Sequence, residues 1–135
     1  MTKRERAHFG AAKAVSELSD HRIQVGAVVT MGSRIISSGS NSQHRCHALQ
    51  ARLDKEMFGC ESHGPIHAEV DALLPLIRKR VDLSNAALYV YREHKDGTLA
   101  CARPCARCEK LIRSTGLKRI FYTVENGVAA EKWQL

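Results

Sequence analysis

Two short segments constrain this chain more than any other part of it: His67-Ala68-Glu69 and Pro104-Cys105-Ala106-Arg107-Cys108. One imidazole and two thiols make a donor set for a borderline-soft divalent ion, and zinc suits it better than magnesium or calcium. Three protein ligands leave a tetrahedral position for water, with Glu69 as a free carboxylate nearby. A fold that uses this set must bring two distant segments together. Cys105 and Cys108 are spaced i, i+3 at the expected start of a helix, so both sulfurs leave one face. A helix N-terminus favours negative charge and lowers thiol pKa, which helps both bind as thiolates. Pro104 suits the entry, because it has no N–H to lose and disfavours a helical Arg103. His67 and Glu69 fall in the first turn of a second expected helix. Two such helices side by side on a sheet bring their N-termini together.

Taken singly, these motifs discriminate poorly. A C-x-x-C pair also serves redox chemistry, although the flanking residues here do not fit a thioredoxin-like site. A structural zinc site could use His67, Cys105 and Cys108 with Cys101 or His63 as fourth ligand. The conjunction of both motifs at helix starts, with Glu69 left over, favours a catalytic centre.

The apolar periodicity supports that arrangement. Residues 4–19 read as an amphipathic helix with Ala7, Ala11, Ala12, Val15 and Leu18 on one face. Ile23 to Thr30 is a buried strand, Met31-Gly32-Ser33 a turn and Arg34 to Ser38 a returning strand. Residues 39–65 are loop-rich with a short helix at Leu49 to Met57. A helix follows from Ile66 to Arg80, and Pro75 inside it predicts a kink or an early end. Ala87 to Tyr91 is a strand, Asp96-Gly97 a turn, Cys105 to Ser114 a helix stopped at Gly116, and Arg119 to Thr123 a strand. The tail after Glu125 is expected to hold a short helix with Trp133. Helices between the later strands imply parallel crossovers onto a sheet that opens with an antiparallel hairpin.

A length of 135 residues fits one domain, residues 1–135. No apolar run approaches the roughly 18 residues of a membrane span, so no membrane partner is expected. Met1 to Arg6 is charged and no apolar segment of the secretory kind follows it, so a cytoplasmic protein is expected. Five cysteines, an odd number, argue against a disulfide framework. The net charge is +7, and its distribution matters more than its size. Residues 78–119 carry eleven Lys/Arg against four Asp/Glu, while the rest carries ten of each. The whole excess therefore surrounds the cysteine pair and suggests a phosphate-bearing partner, unless it serves solubility alone.

The pattern H-x-E followed by P-C-x-x-C is the signature of zinc nucleobase deaminases. From about Gln24 to Thr123 the chain resembles the cytidine/deoxycytidylate deaminase superfamily, closest to small phage and bacterial deoxycytidylate-type deaminases. Gln24 to Val29 resembles the strand that floors the base pocket, which implies a substrate contact at Ala27. Gly39-Ser40-Asn41 resembles the stretch whose Asn contacts the sugar. Ile66 to Leu73 resembles the first zinc helix. Ala102 to Cys108, with Leu111-Ile112 and Gly116 to Tyr122, resembles the second zinc helix and the next strand. The resemblance implies a three-layer α/β/α domain with five strands, the fifth at Leu99 to Ala102 or in the tail. It implies Zn2+ on His67, Cys105 and Cys108, Glu69 as proton carrier, and substrate contacts at Asn41, Ala27, Ala68, Pro104 and Tyr122. Backbone N–H groups near residues 102–105 would orient the base; Tyr122 or Phe121 would flank it or simply pack the core. The implied reaction is hydrolytic deamination: activated water attacks C4 of cytosine, and Glu69 protonates N3 and then the leaving amine.

The chain departs from this pattern between Arg92 and Arg103, where a basic, glycine-containing hairpin-like segment stands beside the site. Three readings of function follow. One is a free cytosine-containing nucleotide such as deoxycytidylate. A second is cytosine in single-stranded DNA or RNA, which the clustered cations suit and the 5% aromatic content does not. A third is a non-catalytic, zinc-stabilised nucleic-acid-binding module, against which Glu69 argues. His44, Cys46, His47, Cys60 and His63 form an irregular second cluster that could hold a structural zinc or line a polar loop. The resemblance also allows a homo-oligomer.

Overall fold

The computed structural model describes residues 1–58 and 66–133. Strand β1 (Val25–Met31) turns at Gly32 into β2 (Arg34–Ser40), and its other edge pairs with β3 (Ala86–Arg92), both antiparallel. β3 pairs in parallel with β4 (Arg119–Val124), and β5 (Gly127–Lys132) closes the far edge antiparallel to β4. The order is β2-β1-β3-β4-β5. The expected opening hairpin and parallel crossover are both present.

The fifth strand is the tail, not Leu99 to Ala102, which contributes only a bridge between Glu93 and Leu99. No helix holds Trp133. Glu125-Asn126 makes a two-residue turn, with Asn126 at φ 64°, a left-handed conformation that Asn tolerates better than most residues. β5 alternates between half-buried and exposed residues, as an edge strand does. Trp133 then folds under: its backbone N–H donates to the Lys118 carbonyl at 2.6 Å and only 5% of it is exposed.

Helix α1 (Lys3–Ser16) covers one face of the sheet, packing on β1, β3 and β2. On the other face lie α3 (Ala68–Arg78), which packs on β2 and β1, and α4 (Ala106–Ser114), with α2 (Ala48–Phe58) against α4. This is the three-layer order expected. α1 starts earlier and ends sooner than its periodicity suggests. A capping box joins Thr2 and Glu5, and the chain leaves the helix at Glu17. Its buried stripe is His8, Phe9, Ala12 and Ser16, while Ala7 is exposed and Leu18 is 78% exposed. The helix is rotated by a close approach at Gly26, where an added Cβ would stand 2.1 Å from the Ala12 carbonyl oxygen. On the opposite face Gly39 does the same for α3: a Cβ there would meet the Ala72 nitrogen at 2.4 Å.

α3 is not ended by Pro75. The ring lies on the exposed side, so it meets no packed neighbour, and the helix continues to Arg78. Arg80 then takes a left-handed φ of 55°, and Val81 N–H bonds back to the Leu76 carbonyl. Gly116, at φ 84°, ends α4 as expected. Leu73, Leu88, Val90, Ile112 and Ile120 fill the space between these helices and the sheet. Among the described residues no helix is long and apolar enough to cross a membrane.

Candidate active site

α3 and α4 begin side by side, and each begins on a candidate ligand. His67 is the N-cap of α3 (φ −81°, ψ 151°) and Cys105 the N-cap of α4 (φ −67°, ψ 168°). Neither side chain caps its own helix, so the imidazole and the thiol are free to face each other. Both sit one step before the first turn rather than in it; Glu69 and Cys108 lie within the first turns. The backbone N–H of His67 donates to Gln50 Oε1 at 2.9 Å. Gln50, buried on α2, thus fixes where α3 starts.

His67 Nδ1 is 3.7 Å from Cys105 Sγ and 3.4 Å from Cys108 Sγ. The three donor atoms lie within 4.8 Å of one another, and among the described residues the group has only these members. Tetrahedral bonds of about 2.3 Å to sulfur and about 2.0 Å to nitrogen put ligand atoms roughly 3.5–3.8 Å apart. The donor set and its spacing therefore fit zinc. Cys101 does not join the group, and His63 lies outside the described residues.

The electrostatics favour thiolate at the outer position. The Cys105 thiol is pulled down to about 3 by a hydrogen bond from Cys108 and by His67. Cys108 is pushed up because it serves Cys105 as donor and is buried. The hydrogen bond with Cys105 also raises His67. Glu69 is only 6% exposed, and burial raises its carboxyl above the ordinary range, against the pull of His67.

A cavity of about 370 Å³ opens over this group. His67, Ala68, Glu69 and Cys105 form its floor, Ile23, Val25, Ile66 and Ala102 its apolar walls, and His21, Asn41, Arg92, Cys101 and Arg103 its polar rim. Of the residues named from sequence, Asn41 and Ala68 reach the cavity with Glu69, His67 and Cys105. Ala27, Pro104 and Tyr122 are not part of its lining. Ala27 is fully buried in the middle of β1, and Val25 nearer the strand end takes the exposed place. The Tyr122 hydroxyl donates to Glu131 at 2.7 Å. Phe121 lies on the α1 side, stacked on Tyr89. Asn41 has a structural duty as well. Its Oδ1 accepts from Val25 N–H (2.9 Å) and Ser19 Oγ (2.6 Å), and its Nδ2 donates to the Ile23 carbonyl (2.6 Å). That clamp holds Ile23 and Val25 at the cavity wall. Sequence reasoning missed His21, Ile23 and Gln50; it set the basic segment from Arg92 to Arg103 beside the site without giving either arginine a place in the cavity.

The second cluster does not close among the described residues. His44, Cys46 and His47 line a different depression with Asp71 and Arg78. His47 Nδ1 accepts from the Leu49 N–H, and its Nε2 faces Arg78 at 3.1 Å. Cys60 and His63 lie outside the described residues.

A family model, the cytidine and deoxycytidylate deaminase zinc-binding region, matches residues 1–124. The deoxycytidylate deaminase of Mycobacterium phage D29 is 33% identical over 130 residues, covering 87% of this chain and 92% of that protein. The dCMP deaminase of cyanophage S-TIM5, in its apo crystal structure, superimposes with a TM-score of 0.62 at 23% identity. That match covers 90% of this chain and 84% of the other. A cytidine deaminase from Burkholderia pseudomallei gives 0.63 at 21% identity, covering 98% and 93%. These two structures are similar in fold.

Proposed function

The chain belongs to the cytidine and deoxycytidylate deaminase zinc-binding family and is a zinc-dependent deaminase, and on that premise we propose that it converts deoxycytidylate to deoxyuridylate. The observation that carries this reading is Glu69: a buried carboxylate beside a three-ligand group, opening into a cavity large enough for a base and sugar. Zinc on His67, Cys105 and Cys108 supplies a Lewis acid that lowers the pKa of a water molecule towards ~7. Glu69 takes the proton of that water and delivers it to N3 of cytosine as oxygen adds at C4. It then moves the proton of the new C4 hydroxyl to the amino group; the C4 carbonyl forms as the C4–N bond breaks, and ammonia leaves. Burial raises the Glu69 carboxyl above its ordinary range, which makes it a better proton acceptor than an exposed carboxylate. Ile23, Val25 and Ile66 exclude bulk water from one side of the base.

A free nucleotide is favoured over a polynucleotide because three cations of the basic stretch are spent locally. Arg103 pairs with Glu109 and Glu131, Arg113 with Glu109, and Lys110 with Glu56. Arg103 and Arg113 also lie over the Trp133 ring. Cations committed in this way do not track a strand. The test offers zinc-loaded protein deoxycytidylate, deoxycytidine and a cytosine-containing single-stranded oligomer side by side, and follows conversion by mass. Deoxyuridylate as the main product is the expected result. Conversion confined to the oligomer, or none at all, would overturn the reading.

A further inference from the structure

Four hydrogen bonds converge on a carboxylate that does not itself line the cavity. Glu131, on β5, accepts from Arg103 Nε at 2.8 Å and Arg103 Nη2 at 3.2 Å, from the Tyr122 hydroxyl at 2.7 Å and from the Trp133 indole N–H at 3.1 Å. The donors come from the loop before α4, from β4 and from the tail. The Arg103 guanidinium, helped by Tyr122 and Trp133, holds the Glu131 carboxyl down to about 2. Glu131 and Trp133 both lie past residue 124, where the match to the family model stops.

Arg103 stands between this carboxylate and the ligand group. It lines the cavity and comes two residues before Cys105. Its Nη2 also donates to Glu109 Oε1 at 2.8 Å, in the first turn of α4, and the Glu109 N–H donates to the Cys105 carbonyl at 2.8 Å. The loop that carries Cys105 is tied to β4 by the Ala102 N–H, which donates to the Thr123 carbonyl at 2.9 Å. Arg103 is its next anchor. Facing two carboxylates, Arg103 has no spare charge for an anion. A planar fork gripped on two sides fixes direction as well as distance. Cys105 needs that support, because its side chain is exposed and caps nothing in its own helix.

We propose that Glu131 is a positioning residue for the deamination: acting through Arg103, it holds the Cys105 loop where Cys105 can share a metal ion with His67 and Cys108. The proposal rests on the deaminase reading above and deepens it. It gives β5 a duty beyond closing the sheet edge, although the strand contributes no residue to the cavity lining. Tyr122 enters the site in the same indirect way, by bracing Glu131 and not by touching the base.

The test is a double-variant cycle on the zinc-loaded full chain: Glu131→Gln, Arg103→Gln and both together. Zinc release to an excess of chelator is read beside kcat for deoxycytidylate. Each single variant should speed release and lower kcat by about tenfold, the size of one lost charge-assisted hydrogen bond. The double variant should match the singles and not multiply them, because both changes break one link. Val128→Gly is the control for the strand itself, an exposed position of β5 away from the Arg103–Glu131 pair. It should lower the denaturant midpoint and leave release and kcat where they were. Unchanged release in Glu131→Gln overturns the proposal, as do multiplied effects in the double variant or equal acceleration in Val128→Gly. Should Glu131→Gln not fold, Arg103→Lys is read in its place, since it keeps the charge and loses the fork. Faster release then upholds the clamp, and unchanged release overturns it. If wild type converts no cytosine nucleotide, the deaminase reading fails, while the release cycle still decides the clamp.

Discussion

His67, Cys105 and Cys108 are delivered by helix starts that the core holds in place, whereas on the rim of the same cavity Arg92 and Arg103 flank a surface hairpin. The floor is braced from below by Leu73, Ile112 and the close approach at Gly39, and from the side by Gln50. The rim hangs largely on one hydroxyl. Thr123 Oγ1 accepts the Arg92 N–H at 3.1 Å and faces the Ala100 and Arg92 carbonyls at 2.8 and 3.2 Å. The Ala102 N–H adds a bond to the Thr123 carbonyl. Metal ligation and proton transfer tolerate errors of only about 0.5 Å, so they need the stiff support. Attraction between full charges falls off slowly with distance and tolerates a looser mount.

The largest effect expected from that division is at the floor. Glu69→Gln should lower kcat by about 10²–10⁴-fold while zinc content and fold are retained. Metal analysis and a steady-state assay check both, and near-normal turnover would remove Glu69 from proton transfer. Cys108→Ser comes next, since its thiol is fully buried between the two helices. It should abolish zinc retention in dialysed protein, and a chelator should lower the thermal midpoint of wild type far more than that of the variant. Identical shifts would deny the metal its structural share.

Thr123→Val addresses the rim. Leaving buried backbone groups of the hairpin without partners should cost about 1–3 kcal/mol in denaturant unfolding. Amide exchange should quicken at Arg92 and Ala100 but not at the start of α3. Equal acceleration at both would erase the contrast between floor and rim. The smallest effect concerns neither. Arg80→Gly relieves the left-handed residue after α3 and should stabilise the fold by ~1 kcal/mol without altering kcat.

The floor was legible in the sequence because its information is local. Ligand spacing, the proline before Cys105, the glycine after α4 and the β1–β2 hairpin are all set by residues a few positions apart. Two misplacements have tertiary causes. The stripe of α1 is chosen by where Gly26 lets the helix approach, so Ala7 and Leu18 lose the burial that periodicity gave them. The tail reads as helix because Ala129-Ala130-Glu131-Lys132 are helix formers, yet β4 offers an open edge and the Glu125-Asn126 turn folds the chain onto it. Substrate contacts at Ala27 and Tyr122 were implied by the family resemblance, but neither residue lines the cavity, where Val25 at the strand end stands instead. The rim was legible only in part: the basic segment from Arg92 to Arg103 stands beside the site as its sequence suggested, but His21 and Ile23, far away in sequence, meet it only across the sheet end.

Trp133, the sole tryptophan of the chain, lies under α4 with the Arg113 guanidinium 4.7 Å from its ring centre. Its indole N–H donates to Glu131, which also holds Arg103, two residues before Cys105. The molecule therefore carries its own optical gauge of how the second ligand-bearing helix is seated. Filling or emptying the metal centre can be watched through native fluorescence, without attaching a dye.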